Sequence, residues 1–195
     1  MLKIGVTGGI GSGKSIVSKL FELSGIPIYY ADIEAKRITE NSAEVKTQLT
    51  KLFGNGLYSD GMLNKQQFAS ILFNNAKALQ QAENIIHPIV KEEFRQWVKR
   101  QNKPIAGIEA AILVEAGFDR EVDQVITVTA PMDIRIARVI NRDNTTKEKV
   151  LERISNQLSD EEKVKRSDYV IINDDKIPVI PQVLDVIKQI NINTT

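Results

Sequence analysis

Apolar residues in this chain crowd into short runs, and between them apolar positions recur every three or four residues. Leu2, Ile4 and Val6 lead into a glycine cluster, so Leu2 to Thr7 predicts a short buried strand. Beyond Lys14, the residues Ile16, Val17, Leu20 and Phe21 fall at helical spacing, and Gly25 marks the stop. Ile28 to Tyr30 predicts a second strand, and a polar helical stretch runs from Asp32 toward Glu40. Pro104 to Glu109, Gln124 to Thr129 and Tyr169 to Asn173 predict three more strands. Helical patterns separate them, and the last helix carries Val183, Ile187 and Ile190 on one face. Strands alternating with helices imply right-handed crossovers and an α/β fold on a five-stranded parallel sheet.

Two stretches break the alternation. Residues 42–101 are long and helical, with a hairpin-like Asp60-Gly61 turn and an Asn64-x-x-Gln67 capping box, and predict a helical insertion over one side of the sheet. Residues 132–165 are dense in charge and hold two more capping boxes, Thr145-x-x-Glu148 and Ser159-x-x-Glu162, which predict a helical lid. The core is then expected at about 1–41, 102–131 and 166–195, in one unit with no linker between independent domains.

Composition narrows the classes. The 195 residues suit one embellished domain. A net charge of +1 lacks the basic excess of a polyanion-coating protein, so no nucleic-acid partner is expected. With no cysteine and one histidine, a disulfide framework, a thiolate nucleophile, a zinc finger, an iron–sulfur cluster and any multi-His metal site are excluded. The longest uncharged run, Gln66 to Ala76, is 11 residues and partly polar, so no membrane span is expected. The N-terminal residues run straight into a strand without a signal-peptide pattern, and a cytoplasmic location is expected.

The chemistry sits after the first strand. Gly8-Gly9-Ile10-Gly11-Ser12-Gly13-Lys14-Ser15 fits G-x-x-x-x-G-K-[ST], between a strand and an amphipathic helix as a phosphate-binding loop requires. Its glycines let backbone N–H groups form a nest for a β-phosphate, backed by the positive end of the helix. Lys14 would bridge the β- and γ-phosphates, and the Ser15 hydroxyl would hold Mg²⁺. A dinucleotide fingerprint is not met.

Three kinds of phosphate-loop protein remain. A GTPase switch needs N-K-x-D, and Asn102-Lys103-Pro104-Ile105 lacks the acid. A motor ATPase normally shows a strand ending Asp-Glu, whereas Ile105 to Glu109 ends in one acid followed by Ala110. A small-molecule kinase needs an acceptor site, a carboxylate and a cationic lid, and both insertions supply candidates. Asp32 follows the second strand and could take a hydroxyl proton or merely N-cap its helix. Arg138 and Arg142 share a helix face and Arg153 follows; they could grip phosphates or form a solvated face with Asp133 and Asp143. His87 before Pro88, Glu109 and Glu115 have both functional and structural readings.

Taken in order, Thr7 to Ser15, Ala31-Asp32, Ile86-His87-Pro88, Leu113-Val114-Glu115, Arg142-Asp143, Arg153 to Ser159 and Ser167 to Asn173 resemble the dephospho-coenzyme A kinase family. The resemblance runs from Leu2 to about Ile190. It implies a P-loop nucleoside-kinase-like three-layer fold, with residues 42–101 as a helical substrate-binding insertion and 132–165 as a lid, and transfer of the ATP γ-phosphate to the ribose 3′-hydroxyl of dephospho-coenzyme A, with Mg²⁺. It implies ATP contacts from Gly11, Ser12, Gly13, Lys14, Ser15 and Ile16, with Asp32 as general base and Arg142 as a lid arginine. Thr7, Asp32, His87, Glu115 and Arg138 are expected on the acceptor side, and Lys14 is expected among the catalytic groups. The working form is expected to be a monomer or small homo-oligomer. Four positions depart from the family pattern. Ile16 stands where Thr is usual, Tyr30 replaces the first carboxylate of Asp-Ala-Asp, and Glu109 and Ala111 stand where Asp and Pro are common.

Overall fold

The computed structural model describes residues 1–73 and 75–192. In chain order these form β1 (Leu2–Thr7), α1 (Lys14–Leu23), β2 (Ile28–Tyr30), α2 (Ala31–Asn41), α3 (Ala43–Phe53), β3 (Tyr58–Ser59), β4 (Met62–Leu63), α4 (Lys65–Leu72) and α5 (Ala76–Lys99). They continue with β5 (Ile105–Glu109), β6 (Gln124–Thr129), α6 (Met132–Asp143), α7 (Lys147–Ser155), α8 (Asp160–Lys165), β7 (Tyr169–Ile172) and α9 (Val179–Ile192).

Two compact units result, Met1–Tyr30 with Arg100–Thr195, and Ala31–Lys99. The first holds, among the described residues, a five-stranded sheet of order β2-β5-β1-β6-β7 with every pairing parallel. Such strands are buried on both faces and read as near-continuous apolar runs. Ile4 and Val6 of β1 share a core with Val17 and Phe21 of α1 and with Val183, Val186 and Ile190 of α9. Gly5 alternates to the opposite face, where a Cβ would meet Leu113 at 2.8 Å, so the Leu113–Val122 segment forms the third layer. After α1, Ile26 N–H reaches the Phe21 carbonyl and Gly25 N–H the Glu22 carbonyl, the paired bonds of a Schellman stop. At the sheet edge, Gln182 of α9 accepts from the Ile172 N–H at 2.9 Å and donates to the Ile172 carbonyl at 2.8 Å.

The second unit is helical, apart from the β3–β4 hairpin, whose Asp60-Gly61 turn has positive φ at both residues. It begins at Ala31 instead of Ser42, because α2 packs on α3 and α5 through the buried Ile38, and Tyr58 Oη donates to the Thr39 carbonyl. The residues expected to form a lid, α6 to α8, stay within the unit of the sheet.

At two of the three expected capping boxes the N-cap bond forms: Asn64 Oδ1 accepts from Gln67 N–H at 3.0 Å, and Ser159 Oγ accepts from Glu162 N–H at 3.2 Å, while the Asn64 N–H goes to the Leu57 carbonyl at 2.9 Å. The Thr145 box does not form. Helix α7 starts one residue later, at Lys147, with Thr146 in the capping position and no side-chain cap bond.

Candidate active site

The loop between β1 and α1 is built as its sequence requires. Gly13 precedes the first helical residue with φ 92°, a conformation L side chains rarely adopt, and a Cβ there would lie 2.0 Å from Asn173 Nδ2. Asn173, just beyond β7, uses that amide to donate to the Ser12 carbonyl at 2.8 Å. At Gly9 a Cβ would fall 2.1 Å from the Arg135 guanidinium, so glycine here admits a side chain from α6.

Three further side chains grip the loop. Arg135 Nε donates to the Ile10 carbonyl at 2.9 Å, and Gln157 Oε1 accepts from the Ile10 N–H at 2.9 Å. Arg138 donates to the Gly11 carbonyl at 3.4 Å and the Asn173 carbonyl at 3.1 Å, while pairing with Asp175 at 2.5 Å. Lys14 Nζ lies 3.3 Å from Glu109 Oε1, and Glu109, at the end of β5, is buried. Its Oε2 is buried with no hydrogen-bond partner among the described residues. Tyr30 pairs with Glu109 across β2 and β5. Burial first, then a hydrogen bond to Glu22 and the charges of Glu22 and Glu109, push the Tyr30 phenol up to about 12.

A cavity of about 220 Å³ opens on this loop, lined by Gly11, Gly13, Lys14, Ser15 and Ile16 and, from α6, by Arg138 and Arg142. Eight of the residues singled out in the sequence therefore meet in one place: Gly11 to Ile16, Arg138 and Arg142. The Arg142 guanidinium also holds Asp143 through two hydrogen bonds, at 2.7 and 3.1 Å, and Arg153 shares that carboxylate. Both arginines hold Asp143 well below the usual carboxylate range, Arg142 more strongly. The ion pairing expected of a solvated face is thus present in a residue that also lines the cavity.

The other candidates are not among the residues that line this cavity. Thr7 ends β1 with its hydroxyl buried and, among the described residues, without a hydrogen-bond partner. Glu115 accepts from Lys163 Nζ at 2.7 Å and from the Leu158 N–H at 2.8 Å, and Lys163 is fully buried. Asp32 and His87 belong to the second unit. Asp32 is exposed inside the first turn of α2, so it does not occupy the capping position. Burial pushes the His87 imidazole below its ordinary value, Lys91 adds to this, and the Asp32 carboxylate opposes it. Arg135, Gln157 and Asn173 were not among the expected site residues. Arg135 had one visible signal, since it lies three residues before Arg138 on the same helix.

The family model described as dephospho-CoA kinase matches residues 2–178 of this chain. The chain belongs to the dephospho-CoA kinase family. It is 46% identical over 187 residues to the dephospho-CoA kinase of Bacteroides fragilis (strain YCH46), covering 95% of this chain and 91% of that one. It is 38% identical over 191 residues to the dephospho-CoA kinase of Porphyromonas gingivalis (strain ATCC BAA-308 / W83), covering 97% and 95%. The crystal structure of TT1252 from Thermus thermophilus matches with a TM-score of 0.84 and 30% identity, over 100% of this chain and 98% of that one. Membership in the dephospho-CoA kinase family makes the chain an ATP-dependent kinase and selects that reading over a GTPase switch or motor ATPase.

Proposed function

We propose that this chain transfers the γ-phosphoryl group of ATP to the ribose 3′-hydroxyl of dephospho-coenzyme A, the last step of coenzyme A biosynthesis. The observation that carries the reading is the phosphate loop, with Lys14 and the α6 arginines on one cavity, in a chain of this family. In the transfer the 3′-oxygen bonds to the γ-phosphorus, the bond from that phosphorus to the β–γ bridging oxygen breaks, and ADP leaves. Little covalent chemistry is asked of the protein, so positioning and charge do most of the work.

Lys14 sets a point charge between the β- and γ-phosphates, and Gly11 to Ile16 hold ATP. Arg142 holds Asp143 through Nε and Nη2 and offers the Nη1–Nη2 edge of its fork to the transferring oxygens. Arg138, braced by Asn173 and Asp175, presents the loop to the substrates. Asp32 accepts the hydroxyl proton from its exposed place in the first turn of α2. Thr7, His87 and Glu115 complete the acceptor side.

Mg²⁺ fits the residues present. Ser15 offers a hydroxyl at the start of α1, and the unpartnered Glu109 Oε2 is a buried acceptor that a cation or its water would satisfy. When bound with the nucleotide, Mg²⁺ neutralises charge on the phosphate oxygens. Among the described residues no helix is long and apolar enough to cross a membrane. We place the enzyme in the cytoplasm, with ATP and dephospho-coenzyme A as partners.

An ADP-release assay tests the reading, because strong turnover should require dephospho-coenzyme A. Asp32→Asn should lower turnover by about 10²–10⁴-fold while ATP affinity and melting temperature hold. An Asn variant with the parent's turnover would move the proton to another acceptor, Glu109 or Glu115 being next.

A further inference from the structure

We infer that Arg135 is a positioning residue for the ATP site, fixing the backbone at Ile10 so that the loop meets the nucleotide already shaped. The inference rests on reading that loop as the ATP site. Arg135 is 3% exposed, and its Nη1 is paired with Asp160 Oδ2 at 2.7 Å, so it is held behind the loop, its charge matched. With that charge anchored, Nε donates to the Ile10 carbonyl at 2.9 Å. Gln157 takes the other polar group of the same residue, accepting the Ile10 N–H at 2.9 Å.

Peptide geometry turns this into an effect on ligand. A trans peptide directs its N–H opposite its carbonyl. Holding the Ile10 carbonyl toward Arg135 therefore aims the next N–H, that of Gly11, away from Arg135, and Gly11 lines the cavity with Lys14. The fixed loop no longer has to be ordered when ATP binds, which is where affinity is gained. A guanidinium meets both partners from two nitrogens of one rigid fork, which the single nitrogen of a lysine does not supply. Asp160 opens α8 and Gln157 follows α7, so the helices after α6 set the shape of the loop through Arg135 and Gln157.

The test uses the full chain, with ATP as the probe, well below the melting temperature. Arg135→Lys should raise both the Kd and the KM for ATP by about tenfold, as losing one charge-assisted hydrogen bond does, with the KM for dephospho-coenzyme A near the parent's. Asp160→Asn should shift ATP affinity the same way, and the double variant should add little. Arg135 variants that melt lower yet bind ATP like the parent would overturn the inference and leave Arg135 a purely structural residue. If Arg135→Lys does not fold, Gln157 decides. Gln157→Leu should weaken ATP binding, and Gln157→Glu, which keeps the acceptor, should restore it; equal affinities in the two would overturn the inference. Failure of the ATP-site reading itself shows separately, as unchanged ATP binding by Lys14→Ala.

Discussion

Lys14 is paired with Glu109, which is 5% exposed. Removing the cation strands a buried carboxylate. Lys14→Ala should therefore lower turnover by on the order of 10²-fold or more. It should also cost about 1–3 kcal/mol of stability, read as a melting temperature several degrees lower. Adding Glu109→Gln should recover the melting temperature without the turnover; a single variant that melts like the parent would show the pair to be idle. The sequence alone suggests a Lys14 side chain in an open loop with no bearing on stability, because nothing local announces a carboxylate 95 positions later. His87 carries a pH dependence. Its folded value lies below the ordinary 6.5, so its contribution to stability is complete above 6.5 and is lost as pH falls through the lowered folded value. His87→Gln should flatten the fall in melting temperature on acidification below about pH 6.5. Parallel curves for parent and variant would show that burial of this imidazole costs nothing.

Helix α6 is the element that turns loop and arginines into one site. Arg135, Arg138 and Arg142 are spaced three and four apart, which puts them along one side of the helix. Arg142→Lys keeps the charge but loses the fork, so turnover should fall by about tenfold or more. A purely surface pairing with Asp143 predicts no change in kinetics, and that result would remove Arg142 from the site. The helices and strands themselves were legible, since the two hydrophobic periods differ and the loop motif fixes the first turn of α1. The grip on the loop was not, because its partners are far apart in sequence: Ile10 with Arg135, Ser12 with Asn173, Ile10 with Gln157. The misplaced Thr145 cap shows the limit of local patterns. Thr145 and Thr146 are adjacent and chemically equal, and only the helix start distinguishes them.

For the whole molecule, the five-stranded parallel sheet and the family were readable, and the strand order and the unit boundary were not. Tyr30 passes directly into Ala31 with no glycine, proline or serine to mark a junction, so the change of unit leaves no trace in composition. Strand β7 closes the sheet at one side, and its outward-facing Val170 and Ile172 are 39% and 40% exposed. An open strand end of that kind is a template on which another chain can add. The Gln182 amide occupies the place of such a chain, offering Ile172 one acceptor and one donor as a neighbouring backbone would. Gln182→Leu should uncover the template. Light scattering should then report concentration-dependent growth in particle size beyond the parent's, and an unchanged particle size would show the edge to be guarded elsewhere. A single surface glutamine thereby acts as a chain terminator, ending the growth of the sheet at its fifth strand.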